Sequence, residues 1–209
     1  MKSLKQLLCF LIFVPCLGMV SHSLKASEQL PMPEVNEDGV YTQTWFLESF
    51  LDLREDLLES RANGKHLAIL WEQRGCPYCK ETHAVNLRVP KIVNYIKNNF
   101  NIIQLNLWGD KEVTDFDGEV TTEKKLARKY KIQFTPTMQF FAKDKKLDPK
   151  KSGAQQEIWR IMGYWKPFHF LNTFVYVRDK GYIKQPNFQR WLQAHAEEMR
   201  SKGVEVKLW

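Results

Sequence analysis

The chain has 209 residues and a formal net charge of +7 at pH 7, from 31 Lys and Arg against 24 Asp and Glu. Because the charges are interspersed rather than clustered, this mild basicity does not indicate a nucleic-acid-binding protein. Two of the four cysteines lie in the N-terminal apolar segment, and the single remaining pair excludes a small scaffold held together by several disulfides.

The first segment, residues 1–26, has the pattern of a cleaved signal peptide. Two lysines precede an apolar run over residues 7–20, which is broken by one proline and one glycine. Small polar residues follow and predict cleavage after Ala26, with Ser23 as the second choice. A retained membrane anchor is the alternative, although the run is short and interrupted for a membrane span. We therefore expect export to the periplasm.

The first half of the remaining chain alternates between helical and strand patterns. Residues 27–44 are rich in proline and acidic side chains and lack periodicity, which predicts an extended lead-in. A domain over residues 45–209 is expected to follow. Its first predicted elements are a helix over 45–60 capped by Thr44, a strand over 66–71, a helix from Pro77 to about residue 86, a helical piece over 91–100 and a strand over 101–107.

The second half continues this alternation and ends in helices. Its predicted elements are an acid-rich loop over 108–120, a threonine-capped helix over 122–130, a strand over 137–141, a turn or excursion over 143–156, a final strand over 157–162, and helices over 167–179 and 187–202. The order predicts an α/β protein whose sheet is covered by helices. The acid-rich loop lacks the ligand spacing of an EF-hand, so we expect it to be solvated rather than to bind calcium.

Reactive side chains are concentrated at Cys76-Pro77-Tyr78-Cys79, directly after Gly75. Cys76 is predicted to cap a helix, with Pro77 at the first helical position, where the N–H that proline lacks is not needed. Free N–H groups and the helix dipole stabilise a thiolate there and can lower a thiol pKa from about 8.5 to about 3.5–7.5. This pattern predicts thiol–disulfide exchange, with Cys76 as nucleophile and Cys79 as resolving thiol.

Two other interpretations of the cysteine pair are open. A zinc site would need two further ligands, and the chain after residue 26 offers only histidines without ligand-like spacing. A purely structural bridge would close so small a ring that it would stabilise the fold little. We therefore expect a redox-active disulfide with neither a metal nor an organic cofactor.

A proline at the start of a predicted strand, Pro136, gives a second signal. It cannot donate to the sheet ladder, and alone it would be an ordinary trans proline, since only about 5–6% of such bonds are cis. Combined with the cysteine motif, it predicts a cis proline that faces the dithiol and lets a client strand pair with the backbone of Thr135. We expect Pro77, Tyr78, Thr135 and Pro136 to bind the substrate.

Five motifs between residues 71 and 192 resemble one known family. They are Gly75-Cys-Pro-Tyr-Cys-Lys80, Gln104-Leu-Asn-Leu-Trp-Gly109, Val113-Thr-Asp-Phe-Asp-Gly118, Phe134-Thr-Pro-Thr137 and Gly163-Tyr-Trp-Lys-Pro-Phe-His-Phe170. The chain in this stretch resembles the SoxW-type periplasmic thioredoxins that accompany bacterial sulfur-oxidation systems. The first and fourth motifs are shared with thioredoxin-fold proteins in general, whereas the other three are specific to this branch.

The resemblance implies a thioredoxin-like fold, in which helices flank a central mixed β-sheet and a C-terminal helical extension follows. The first strand of that fold is missing here or hidden in the lead-in. The resemblance also implies Cys76 as nucleophile, Cys79 as resolving thiol and Pro136 as the cis proline. It further implies that a membrane conduit of the CcdA or DsbD kind reduces the protein, which we expect to be a monomer. The client would be an exported thiol protein, such as a sulfur carrier or an apocytochrome.

The chain also departs from related thioredoxins. Those place a buried Asp six residues before the nucleophile, where it accepts the proton of the second cysteine, and here that position is Leu70. Glu72, two residues later, lies on the same face of the predicted strand. It is either a substitute proton acceptor or a surface residue. His83, one helical turn after Cys79, is a second candidate acceptor, or else a partly exposed helix histidine. The Pro-Tyr dipeptide and Thr135 resemble glutaredoxins and bacterial disulfide isomerases, so the direction of electron flow stays open.

The sequence therefore predicts a thiol:disulfide oxidoreductase that reduces exported clients. One alternative is a disulfide isomerase or oxidant of the same fold, although such bacterial isomerases carry a separate dimerisation domain for which this chain is too short. The other is a non-catalytic binding module with a thioredoxin fold.

Overall fold

The computed structural model describes residues 29–206. The predicted signal peptide over residues 1–26 lies outside the described residues. Within residues 29–206, none of the helices combines the length and the apolar character needed to cross a bilayer.

The strands belong to one central sheet and two small hairpins. The strands are β1 Glu34–Val35, β2 Tyr41–Thr42, β3 His66–Glu72, β4 Phe100–Asn106, β5 Glu112–Thr114, β6 Val120–Thr122, β7 Thr137–Phe141 and β8 Trp159–Met162. The central sheet has the order β4-β3-β7-β8, while β1 pairs with β2 and β5 with β6.

The helices are interleaved with these strands and continue beyond the last one. They are α1 Leu53–Ala62, α2 Pro77–Ala84, α3 Pro90–Asn99, α4 Glu123–Lys129, α5 Gly153–Gln156, α6 Pro167–Arg178, α7 Gly181–Lys184 and α8 Phe188–Ser201, with a short 3₁₀ helix at Asn86–Arg88. Most of the predicted helices and sheet strands are present within one or two residues of their predicted bounds.

The sheet is mixed, which confirms the predicted fold class. Strand β3 pairs in parallel with β4, from His66 opposite Phe100 to Glu72 opposite Asn106. On its other side β3 pairs antiparallel with β7, and β7 pairs antiparallel with β8. Every residue of β3 is buried, which explains why this strand reads as a continuous apolar run rather than an alternating one.

Two apolar layers cover the two faces of the sheet. Ile69 and Trp71 of β3 pack with α1 and α4 on one face, while Ala68 and Leu70 pack with α3 and α6 on the other. A third cluster joins α6 to α8. The aromatic run of the C-terminal motif, which ends at Phe170, therefore contributes to the core, and the C-terminal helices form the predicted helical extension.

The helix predicted over 45–60 is wrong in its first half. Helix α1 begins at Leu53, and its cap is the side chain of Asp52 rather than Thr44. The preceding residues run beside the edge strand β4, where the N–H of Leu47 donates to the carbonyl of Ile102 at 2.8 Å. They therefore run along the edge of the central sheet but form no regular strand, and the two strands of the lead-in form a hairpin outside that sheet.

Two segments predicted to be irregular contain hairpins. The lead-in forms β1 and β2, and the acid-rich loop over 108–120 forms β5 and continues into β6. The expectation that this loop is solvated holds for Asp110, Glu112 and Glu119, which are exposed, but is wrong for Asp115, which is fully buried and lies 2.6 Å from Nζ of Lys129. Lys129 also pairs with Asp117 and Glu119, so three acids of this loop share one partly buried lysine of α4.

Candidate active site

The two cysteines lie at the start of α2, just after the end of β3. Cys76 is the N-cap of α2, with φ −78° and ψ 111°, and its Sγ accepts the backbone N–H of Cys79 at 3.1 Å. The two residues form a disulfide, and their Cα atoms are 5.2 Å apart. Gly75 before them has φ +71°, a conformation that favours glycine and turns the chain into the helix.

The two sulfurs of this disulfide differ in burial. Cys79 is fully buried, Cys76 is 4% exposed, and Pro77 and Tyr78 between them are exposed. A partner sulfur can therefore approach only Cys76, from the side of the exposed dipeptide. This difference in burial suits Cys76 to attack a client disulfide and Cys79 to attack the resulting mixed disulfide from the protein interior.

The segment before β7 faces the dithiol. The peptide bond between Thr135 and Pro136 is cis. The carbonyl oxygen of Thr135 lies 3.5 Å from Sγ of Cys76, and its hydroxyl donates to the same sulfur at 3.4 Å. The carbonyl of Pro136 accepts the N–H of Gly163 at 2.7 Å, which ties this segment to the end of β8.

Three large apolar side chains near the dithiol are exposed. Tyr78 lies between the cysteines, and Phe134 directly precedes Thr135. Met162 lies opposite Thr137 in the register between β8 and β7. Each of the three is 57–59% exposed, so apolar surface is available beside Cys76 for a client chain.

Glu72 at the end of β3 and His83 on α2, the helix that carries the dithiol, form a buried pair. His83 Nε2 lies 2.9 Å from Oε2 of Glu72, and both side chains are fully buried. The interpretations of Glu72 as a surface residue and of His83 as a partly exposed helix histidine are therefore wrong. Burial raises the pKa of Glu72, while the contact with His83 opposes that rise.

Leu70, which replaces the buried Asp of related thioredoxins, lies in the apolar cluster around Met138 and Phe140. Glu72 follows two residues later on the same face of β3 and is the acid that this face does carry. The buried carboxyl group of this chain thus lies two residues closer to the dithiol along β3 than the Asp of related thioredoxins.

Three further residues surround this pair and were not predicted to belong to the site. Gln104 of β4 donates to Oε2 of Glu72, and the amide Nε2 of Gln43 lies 3.1 Å from Nδ1 of His83. The indole N–H of Trp45 donates to Oε1 of Gln43 at 3.2 Å. Gln104 is one of three polar residues in its strand, with Asn101 and Asn106, so its position carries no distinct signal, and neither do the positions of Gln43 and Trp45.

Two basic residues, Arg74 and Lys80, flank the dithiol in the sequence, but neither side chain bonds to its sulfurs. Arg74 reaches away to the lead-in, where its Nε donates to the carbonyl of Asp38 at 3.0 Å. Lys80 is exposed on α2. Among residues 29–206, no group of three or more His, Cys, Asp and Glu side chains is arranged to hold a metal ion.

Comparison with known proteins identifies the family. No curated protein sequence matches the chain. Solved structures with a similar fold include a thioredoxin-fold protein from Helicobacter pylori, at 21% identity and a TM-score of 0.49 over 66% of this chain and 86% of that one. Another is a thioredoxin from Thermus thermophilus, at 20% identity and a TM-score of 0.46 over 60% of this chain and 83% of that one. The family model for the thioredoxin-like domain matches residues 53–178, more than half of the chain. The chain therefore belongs to the thioredoxin-like domain family.

Proposed function

We propose that this protein is a thiol:disulfide oxidoreductase that reduces disulfides of exported proteins. The observation that supports this most directly is the Cys76–Cys79 disulfide at the start of α2, packed against the cis bond before Pro136. A reducing thiolate can reach this disulfide at Cys76, because Cys76 meets solvent and Cys79 does not.

The reaction follows from the unequal burial of the two sulfurs. The thiolate of reduced Cys76 attacks a client disulfide, and one client sulfur leaves as a thiolate. Cys79 then loses its proton and attacks Sγ of Cys76, which expels the second client sulfur as a thiolate. The client disulfide gains two electrons, and the protein is left with the Cys76–Cys79 disulfide.

The client is proposed to bind across the segment that faces the dithiol. An extended chain could pair with the backbone of Thr135, beside Pro136, and thereby place its sulfur at Cys76. Pro77 and Tyr78 would border it on the side of α2. The exposed apolar surface beside the dithiol supports this placement.

The sequence supports a periplasmic setting for this reaction. The signal-peptide pattern of residues 1–26 and the resemblance to SoxW-type thioredoxins suggest a monomeric reductant that acts after export. A membrane conduit of the CcdA or DsbD type would return two electrons to the disulfide after each cycle. A sulfur carrier or an apocytochrome has the thiol chemistry of a suitable client, and the cycle needs no organic cofactor or metal.

Trapping of the mixed disulfide tests the proposal. The variant Cys79→Ser should accumulate a reducible covalent adduct with exported thiol proteins, because Cys76 still attacks but cannot be released. The variant Cys76→Ser is the control and should trap nothing. A Cys79→Ser protein that forms no adduct would contradict the exchange mechanism, and a Cys76→Ser protein that keeps a partner at full affinity would favour the binding module.

A further inference from the structure

The side-chain amide of Gln43 has only one orientation that satisfies its neighbours. The indole Nε1 of Trp45 is a donor and cannot accept, so the amide atom facing it at 3.2 Å must be the oxygen Oε1. The amide nitrogen Nε2 then faces Nδ1 of His83 at 3.1 Å. Because an amide nitrogen only donates, Nδ1 of His83 must accept this hydrogen bond.

This orientation fixes the tautomer of His83. With Nδ1 acting as acceptor, the ring hydrogen lies on Nε2, which faces Oε2 of Glu72 at 2.9 Å. The hydrogen bonds therefore run in one direction, from Trp45 through Gln43 and His83 to Glu72. Protonation of His83 at Nδ1 would require the Gln43 amide to turn, and its nitrogen would then face the indole N–H of Trp45, so the hydrogen bond from Trp45 would be lost.

A second arm of the network ends at the same oxygen. The side-chain nitrogen of Gln104 donates to the carbonyl of Tyr41 at 2.5 Å and to Oε2 of Glu72. Oε2 thus accepts from two side chains, whereas Oε1 of Glu72 is buried without a hydrogen-bond partner among the described residues. Both arms are anchored in residues 41–45, at the junction of the lead-in and the domain, which supply Tyr41, Gln43 and Trp45.

We propose that Gln43 and Trp45 are positioning residues that fix His83 as a donor and thereby make Oε1 of Glu72 the atom that accepts the proton of Cys79. This inference rests on the proposed function. It selects one of the two candidate acceptors and makes the lead-in part of the redox site.

The placement of Cys79 supports this assignment. Cys79 and His83 are four residues apart on α2, so they lie on one helix face with Cβ atoms about 5–6 Å apart. Through His83, the carboxyl group of Glu72 is bonded to the same face of α2 that carries Cys79, and a carboxyl group on that side of the helix is the type of group that can exchange a proton with a buried thiol. His83 on α2 and Gln104 on β4 are the polar side chains that bond Glu72, and Gln104 carries no charge.

The burial of Glu72 fits a proton that is stored rather than released. Burial raises the pKa of this carboxyl group, so its protonated form is favoured compared with an exposed glutamate. When the disulfide closes, the proton moves from Sγ of Cys79 to Oε1 of Glu72, and the sulfur electron pair forms the bond to Cys76. When a reducing thiolate reopens the disulfide, Cys79 leaves as a thiolate and takes the proton back.

The tautomer can be measured without any client. In the exported chain, residues 27–209, labelled with ¹⁵N-histidine, we expect His83 to show a non-protonated Nδ1 and a protonated Nε2. The variant Trp45→Phe should release the amide and produce a mixture of the two tautomers. The control Trp191→Phe removes an indole from the C-terminal cluster and should leave the His83 signals unchanged. A protonated Nδ1 in the unmodified chain, or an unchanged tautomer in Trp45→Phe, would overturn the proposal.

The acceptor is tested by the pH dependence of the reduction potential. Glu72→Gln should remove an inflection from the plot of potential against pH. His83→Gln should only shift it, because a glutamine amide can still donate to the carboxylate. The proposal is wrong if His83→Gln removes the inflection while Glu72→Gln keeps it. A protein that exchanges no thiols would give no reduction potential, and this result would contradict the proposed function. The tautomer of His83 could still be measured in that protein.

Discussion

The imidazole Nε2 of His83 lies 2.9 Å from Oε2 of Glu72, and neither side chain is exposed to solvent. Glu72 ends the strand that leads to the dithiol, and His83 belongs to the helix that carries it. A buried carboxyl group is costly unless it is hydrogen-bonded, so its presence next to the helix that carries the dithiol points to a chemical role. The pair also ties α2 to the sheet at the point where the disulfide must open and close.

Removal of the carboxylate should slow the closing step. In Glu72→Gln we expect the release of client from the mixed disulfide to slow by about 10²-fold or more, because general base catalysis contributes about 10²–10⁴-fold. Stopped-flow kinetics with a disulfide-containing peptide would measure this rate separately from the initial attack by Cys76. That initial attack should change little.

The matched control for this prediction is Glu123→Gln. Glu123 is also buried, and burial also raises its pKa, but it lies on α4 and accepts the backbone N–H of Asn106 at 2.8 Å. Equal slowing in both variants would show that the effect reflects loss of a buried carboxylate in general rather than proton transfer at the dithiol.

The hydroxyl of Thr135 should favour the thiolate of Cys76. It donates to Sγ at 3.4 Å, and a donor to the charged form of an acid stabilises that form. In reduced Thr135→Val we therefore expect the pH midpoint of Cys76 alkylation to move upward. Thr173→Val, which removes a hydroxyl that donates to the carbonyl of His169 in α6, should leave the midpoint in place. An unchanged midpoint in Thr135→Val would count against this role.

The turn before the dithiol should depend on glycine at position 75. Gly75 and Gly64 have φ of +71° and +70°, and an added Cβ meets no atom within 4 Å at either position. Alanine at each site should therefore cost about 1–2 kcal/mol of folding free energy from backbone strain alone. We expect both variants to show this loss in denaturant titrations, but only Gly75→Ala to slow thiol exchange. Equal exchange rates in the two variants would contradict a functional role for this turn.

Asp56 should make the fold less stable as the pH rises. Burial is the main cause that raises its pKa from 3.8 to about 6. The native state therefore holds this proton more tightly than the unfolded chain, and stability is lost between about pH 3.8 and pH 6. Relative to Asp56→Asn, the unmodified protein should lose about 3 kcal/mol across this window in denaturant titrations. A constant difference would contradict the assignment.

His66 should have the opposite effect in nearly the same window. Burial lowers its pKa from 6.5 to about 4, with the charge of Lys143 as a smaller cause. The unfolded chain binds this proton more tightly, so stability is lost as the pH falls from 6.5 toward 4. Relative to His66→Gln, the unmodified protein should lose about 3 kcal/mol on acidification. The same titrations would contradict this if the difference did not depend on pH.

The elements that the sequence predicts well are those whose signals are local. The strand over 137–141 has its predicted bounds, and the strand over 66–71 is one residue longer than predicted. Pro77 and Pro90 each stand at the first position of a helix, as their missing N–H favours. The cysteine motif could likewise be placed at a helix start, because its glycine and proline act on the backbone next to them.

The parts that could not be predicted depend on contacts that are distant in sequence. Residues 45–51 have near-helical apolar spacing, yet they are not helical. They run beside the edge strand β4 instead, where the N–H of Leu47 donates to the carbonyl of Ile102. The hydrogen bond between His83 and Gln43 joins residues that lie 40 positions apart in the sequence. No local pattern marks that contact, because the lead-in becomes part of the site only after it folds over α2 and β4.

The central claim, that the dithiol works as a reductant, is tested most directly by its reduction potential. The Cys76–Cys79 couple of a chain that spans residues 27–209 would be equilibrated in thiol buffers of defined potential, and the reduced fraction would be measured. We predict a value of about −230 mV or lower, toward the roughly −270 mV of thioredoxin. A value between about −120 and −180 mV, the range from DsbA to protein disulfide isomerase, would contradict a reductant and favour oxidation or isomerisation.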